Sequence, residues 1–429
     1  MLFAHIGVID ENFEFRPDCF VGVRGDTIAY LGADEPAEDF GERYDGRGKV
    51  LLPGLVNAHS HAPMTLMRGY AENLALDDWL NTMIFPFEAK MTDDEVYPAT
   101  MLAIAEMLRF GTTSFSDMYY FCDARARAIL ESGIKCNLCD TLIDFAGMPY
   151  AELPTAAVND HIFKAYHGAN GGRFLVDMGL HAEYTSTPTA VRTFAEATAD
   201  LGLRVHVHVS ETRKEVEECK ARHDGMTPPA YLAAMGVFNN PTTAAHCVWL
   251  EGDDFALLAE KGVTVATNPI SNAKLGSGIA AERALAAAGV RVAIGTDSVA
   301  SNNNLNMWQD LNAFALLARA QGCNPVGISP AEVLRCATLN GALAQGREET
   351  GVIAVGKRAD LCVVDVDVPW MVPVSDMVTN LVYSAQGSDV VLTMVDGQVL
   401  YRDGEWPTID IERVKFETAR AREAVLARL

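Results

Sequence analysis

Between Val50 and Ala300 the chain switches repeatedly between two hydrophobic rhythms. Short apolar runs read as strands: VLLPGLVNAH, TTSFSDMYY, IKCNLCDTLI, RFLVDMGLHA, RVHVHVSE, TTAAHCVWL, VTVATNPIS and VRVAIGTDS. Between them lie stretches with helical spacing, such as DEVYPATMLAIAEMLRFG and GDDFALLAEKG, which closes on the glycine that a helix end favours. Eight strands alternating with helices over roughly 250 residues predict a (β/α)8 TIM barrel. Residues 329–346 predict one more helix. The flanks have a different rhythm. FVGVRGDTIAYLG carries Gly-Asp between two apolar runs, a hairpin signal, and GVIAVGKRADLCVVDVD and VVLTMVDGQVLYRDG return to the same style. The two ends are therefore expected to build one small β-sandwich beside the barrel. Residues 1–56 and 349–405 would form its two parts, 57–348 the barrel and 406–429 a C-terminal helix.

In such a barrel, chemistry sits at the C-terminal ends of the strands. Here the first strand ends in His59 and His61, the fourth in His181, and the fifth in His208 with Glu211 just beyond. The sixth ends in His246 and the eighth in Asp297. His59 and His61 are two apart, so both side chains leave the same face of the strand and can grip one ion. With His208 and Asp297 the set becomes three imidazoles and one carboxylate. That set suits zinc, and iron or another first-row metal also fits it. His206 shares a face with His208 one layer deeper and is expected in the core or behind the ligands.

Glu211 remains once four ligands are placed. A carboxylate beside a metal-activated water is a proton carrier; the plainer reading is an acid opening the helix ETRKEVEECKARH. His246 is expected to polarise the attacking oxygen or steady the charge developing there, against the plainer reading of a hydrogen-bonded core histidine. His5, His161, His167 and His223 lie away from strand ends and read as ordinary loop or surface residues.

Composition narrows the function classes. A chain of 429 residues with 49% hydrophobic and 21% charged residues can bury a large core. Its net charge of −23 argues against a nucleic-acid partner. No apolar run reaches the roughly 20 residues of a membrane helix. MLFAHIGVIDENF lacks the basic start of a signal peptide, and nine scattered cysteines read as reduced thiols, so a cytoplasmic location is expected. Cys136 and Cys139 form a C-x-x-C on one strand, where an offset of three points them to opposite faces; they are expected to be buried thiols.

PGLVNAHSH, HVHVSET, AAHCVWL, TNPISNAKLGSGIA, GTDSVASNNNLNM and ATLNGALA…GVIAVGKRADLCVVD occur in an order that resembles the amidohydrolase superfamily over nearly the whole chain. The resemblance is to its 5-methylthioadenosine/S-adenosylhomocysteine deaminase branch, with the s-triazine chlorohydrolases. It implies His59, His61, His208 and Asp297 as ligands of one divalent metal per chain, with Glu211, His246 and Asp297 catalytic. Two-metal members usually carry a bridging lysine at the fourth strand, and RFLVDMGLHA has none.

The resemblance further implies that Trp79 walls the substrate pocket, that Glu88 holds the ribose hydroxyls and that His181 makes another sugar contact, with Glu211 also facing the substrate. The chain departs from the branch in one respect. Relatives that take S-adenosylhomocysteine hold its carboxylate with arginine before the fourth strand, and Ala128–Gly172 contains no arginine.

The implied reaction is hydrolytic deamination of an adenine nucleoside to the inosine product and ammonia. Candidate substrates are 5-methylthioadenosine, adenosine and 5′-deoxyadenosine, with S-adenosylhomocysteine less suited. The alternative is another amino- or chloro-substituted heterocycle: guanine, a pterin, cytosine or an s-triazine. A non-enzymatic, metal-stabilised scaffold would have no use for Glu211 and His246 beside a full ligand set. The expected partner is a small nucleoside, with no nucleic acid and no membrane, and a homo-oligomer is left open.

Overall fold

The computed structural model describes Met1–Leu429. The barrel strands are Leu55–Ser60, Thr112–Met118, Lys135–Cys139 continuing at Thr141–Leu142, Phe174–Val176 continuing at Met178–Leu180, Val205–Val209, Thr242–His246, Thr264–Thr267 and Arg291–Ile294. All neighbouring pairs are parallel, as helical crossovers require. The third and fourth strands each break at a single aspartate, Asp140 and Asp177, which splits the hydrogen-bond ladder into two arcs. The Asp177 N–H still reaches Leu138 O at 3.0 Å across the break. The last strand returns to the first through Asp297 N–H and His59 O, 3.0 Å apart, and this bond fixes two candidate ligands against each other.

Both termini join one eight-stranded sheet. Leu361–Asp365 runs antiparallel to Lys49–Pro53, and Leu2–Ile9 lies beyond it. Phe3, Ile6, Val21, Leu361, Val363 and Met394 share one apolar core, so residues from the two ends of the chain bury each other. The C-terminal helix Ile411–Leu426 packs on the barrel helix Asp93–Arg109, with the Thr418 hydroxyl donating to Pro98 O at 3.0 Å.

Two elements differ from expectation. Residues 329–346 form two helices, Pro330–Ala337 and Leu339–Ala344, broken at Thr338. The Thr338 hydroxyl donates to Leu334 O at 2.7 Å and its backbone leaves the helical region. The second piece lies tight against the first strand: a Cβ on Gly341 would come within 2.9 Å of Val56. The other surprise is a helical wall over the barrel mouth, Leu76–Trp79, Leu80–Ile84 and Phe85–Glu88, whose middle turn is a π-bulge. Such bulges gather at functional sites because they re-aim side chains. No helix is long and apolar enough to cross a membrane.

Candidate active site

The strand ends converge as the alternation requires. The ring nitrogens of His59, His61 and His208 lie within 4.8 Å of one another, and so do the ligand atoms of His59, His246 and Asp297. His61 Nε2 is 3.3 Å from Asp297 Oδ1 and 3.4 Å from His208 Nε2, and His59 Nε2 is 3.6 Å from Asp297 Oδ1.

What lies behind each ring decides which nitrogen faces inward. His61 Nδ1–H donates to Met118 O at 2.5 Å, and His208 Nδ1–H donates to His181 O at 2.7 Å. A carbonyl only accepts, so the proton is on Nδ1 and the lone pair on Nε2. Two such lone pairs aimed at each other are unfavourable unless a cation sits between them. His59 Nε2 is fully buried without a hydrogen-bond partner, and its Nδ1 meets His206 Nε2 at 2.8 Å. Asp297 has a left-handed backbone (φ 60°), and its Oδ2 accepts from the hydroxyls of Ser271 (2.6 Å) and Ser301 (2.9 Å), which leaves Oδ1 to face the histidines. The donor set therefore fits a four-coordinate divalent metal.

Beside these atoms, Glu211 Oε2 lies 3.8 Å from His246 Nε2, and Glu211 Oε1 is 3.3 Å from the Ser277 hydroxyl. His246 Nδ1–H donates to the side-chain carbonyl of Asn272 at 2.8 Å, so Nε2 faces the site as an acceptor. A cleft of about 610 Å³ opens above them, lined by His61, His208, Glu211, His246 and Asp297 at its base. Trp79, Ile84, Phe85, Glu88, Tyr119 and His181 line its other parts. Eight of the nine residues singled out from the sequence thus border one space, and the ninth, His59, is fully buried. His181 Nδ1 meets the Thr185 hydroxyl at 3.0 Å, and that hydroxyl donates to Ala182 O, so His181 Nε2 also presents a lone pair to the cleft.

The amidohydrolase family model matches residues 50–400. The chain belongs to the amidohydrolase family. It is 41% identical to a 5-methylthioadenosine/S-adenosylhomocysteine deaminase of Dictyoglomus thermophilum, over 92% of each chain. It is 42% identical to a 5′-deoxyadenosine deaminase of Methanosarcina mazei, over 90% of this chain and 88% of that one. Among solved structures it superposes on a zinc-bound adenosine deaminase of Xanthomonas campestris with a TM-score of 0.92 and 32% identity, covering 99% of this chain and 98% of the other.

In this amidohydrolase, burial sets the electrostatics of the site. Burial holds the His59 and His181 rings down to about 3 and the His208 ring well below its ordinary range, so all three stay neutral, as ligation or hydrogen-bond acceptance requires. Burial raises Asp297, but the His59 and His61 contacts outweigh it and hold the carboxylate well below its usual value. Glu211 goes the other way: burial raises it, with Asp297 adding and His246 opposing. Glu88 is pushed up to about 7 by burial, against the pull of the Tyr119 hydroxyl and His61.

The partners that aim these groups were not apparent in the sequence. Asn57, Ser271, Asn272 and Ser301 are ordinary polar residues there, and only folding shows that they hold Asp297, His246 and the loop after the eighth strand. Cys136 and Cys139 are buried free thiols, and burial lifts both well above their ordinary range.

Proposed function

We propose that the chain is a metal-dependent hydrolytic deaminase of adenine nucleosides, which replaces the amino group on carbon 6 of the purine with oxygen and releases ammonia. The observation that supports it most is one cleft with a three-histidine, one-aspartate cluster and the Glu211–His246 pair at its base, and Glu88 and His181 higher on its walls. A divalent metal held by His59, His61, His208 and Asp297 would supply a water acidified to near neutrality. Zinc is the proposed ion: the donor set suits it, and the structural relative of Xanthomonas campestris is described with bound zinc.

The chain's own groups do the remaining work. His246 Nε2, kept as an acceptor by Asn272, orients that water and takes part in stripping its proton. Glu211 carries a proton to ring nitrogen 1 and then to the departing amine. Burial raises its proton affinity, which suits a group that must both accept and give a proton. Glu88 accepts from the ribose hydroxyls, and His181 Nε2 accepts from the sugar. Trp79 and Phe85 exclude water from the purine face. Guanine, pterin, cytosine and triazine lack a ribose, so Glu88 and His181 favour the nucleoside.

The test is ammonia release from adenosine, 5′-deoxyadenosine and 5-methylthioadenosine against that panel of free heterocycles. Nucleosides should be preferred, and the purified protein should hold about one divalent metal per chain, lost together with activity in His208→Ala. A clear preference for a free heterocycle, or two essential metals per chain, would overturn the reading.

A further inference from the structure

Behind Glu211 lies a second buried carboxyl group that the mechanism above does not use. Glu215 sits in the first turn of the helix Arg213–Arg222. Its Oε1 accepts Ser210 N–H at 2.8 Å and its Oε2 accepts Glu211 N–H at 2.7 Å, and Thr212 N–H leans on the same carboxylate. An acid at this helical position ordinarily takes the N–H of the capping residue, here Thr212. Glu215 reaches past it to the two residues before, one of which is the candidate proton carrier itself. Between the strand end and Glu211 stands Ser210, a non-glycine residue with a left-handed backbone (φ 51°). A conformation of that kind persists where its surroundings enforce it.

The arrangement is costly as a mere helix cap. The Glu215 side chain is buried, and burial together with the nearby Glu211 pushes it up to about 8. An exposed helix start could be capped by Thr212 alone, whose hydroxyl already accepts Glu215 N–H at 3.1 Å. The added bonds fix the backbone from which the Glu211 side chain leaves, and so fix where its carboxylate stands relative to His246 and the substrate ring.

We infer that Glu215 is a positioning residue for catalysis: by holding the amides of Ser210 and Glu211 it aims the Glu211 carboxylate. The inference rests on the proton-carrier reading of Glu211. In Glu215→Gln one acceptor becomes a donor facing an N–H, so the turn must shift. A displacement near 1 Å away from the chemistry can cost about 10²-fold. The expected result is kcat lower by about 10- to 100-fold, with KM within about threefold and the metal content unchanged. Glu215→Asp keeps the carboxyl group but falls one methylene short; it should show the same kcat loss, and it serves if the Gln variant is not recovered folded. Thr212→Val is the control: it removes the helix cap and should lower Tm while leaving kcat nearly intact.

The deciding arm is the pair with Glu211. If Glu215 acts through Glu211, then in a Glu211→Gln background the second substitution should cost almost nothing further in kcat. A Glu215→Gln enzyme with wild-type kcat and only a lower Tm would reduce Glu215 to a cap and overturn the inference. So would kcat losses that multiply in the double variant. A Glu211→Gln enzyme at near wild-type rate would instead remove the reading of Glu211 itself, and the two failures are told apart by that single variant.

Discussion

Glu88 shows how far one residue's surroundings can set its task. A carboxylate that accepts two neighbouring hydroxyls works best ionised, because protonation converts one of its oxygens into a donor. Burial has nevertheless pushed Glu88 up to about 7. In the proposed role, the group below that value carries its proton and would hold the diol poorly; above it the carboxylate is free to accept both hydroxyls. KM for adenosine should therefore fall as pH rises from 6 to 8, while the same series with 2′,3′-dideoxyadenosine should stay nearly flat in KM. Parallel slopes for the two substrates would mean that another group titrates in binding. The candidate ligand histidines illustrate the reverse arrangement. Met118 O, His181 O and His206 each take one nitrogen, so the other is aimed inward before any ligand arrives.

At the scale of elements, much of the fold and the candidate site is legible in the sequence because a strand repeats every two residues. His59 and His61 had to share a face, and a barrel sends strand ends to one rim, so residues far apart in the chain could be grouped before any contact was known. What was not legible depends on packing between elements. The break at Thr338, the π-bulge over the mouth and the split of the third and fourth strands at Asp140 and Asp177 have no periodic signal. Nor had Glu215, which reads as one acid among several in KEVEE. The strand split carries its own prediction. Gly179 passes so close to the third strand that a Cβ there would lie 2.0 Å from Asp140 O, a backbone atom that cannot swing aside. Gly179→Ala must push the two strands apart where the ladder resumes, and overpacking of this kind costs about 1–3 kcal/mol or more. Urea unfolding should show a stability lower by that amount, seen as an earlier midpoint at unchanged m; an unchanged midpoint would mean that the barrel relaxes there at no cost. Because His181 follows two residues later, its proposed sugar contact should weaken as well.

The whole molecule bears on which nucleoside is taken. The chain carries a net charge of −23, and no lysine or arginine lines the cleft. The cations that could have replaced the arginine missing between Ala128 and Gly172 are engaged elsewhere. Arg68 turns to Glu106 and Asn303 O, and Lys164 pairs with Asp160 on the surface. An adjoining hollow of about 870 Å³ shares Leu76, Leu80, Tyr184 and Leu275 with the cleft and holds Arg213 and Lys214. Both of these are already paired, with Glu217 at 2.8 Å and Asp77 at 2.7 Å. The carboxylate of S-adenosylhomocysteine therefore meets a negative field and no ready partner. One charge-assisted contact is worth about 1.5–3 kcal/mol, on the order of 10–100-fold in catalytic efficiency. Adenosine, 5-methylthioadenosine and 5′-deoxyadenosine should exceed S-adenosylhomocysteine in kcat/KM by at least about tenfold, and adenosine monophosphate should be poor for the same reason. Competing the nucleosides in one reaction measures this ratio directly. The electrostatic origin can be separated from fit by adding salt, since screening should narrow the gap for the charged substrates and leave the neutral ones unmoved. Equal efficiency for S-adenosylhomocysteine would mean that the hollow supplies a cation after all. Lys214→Gln and Arg213→Gln would then lower kcat/KM for that substrate alone.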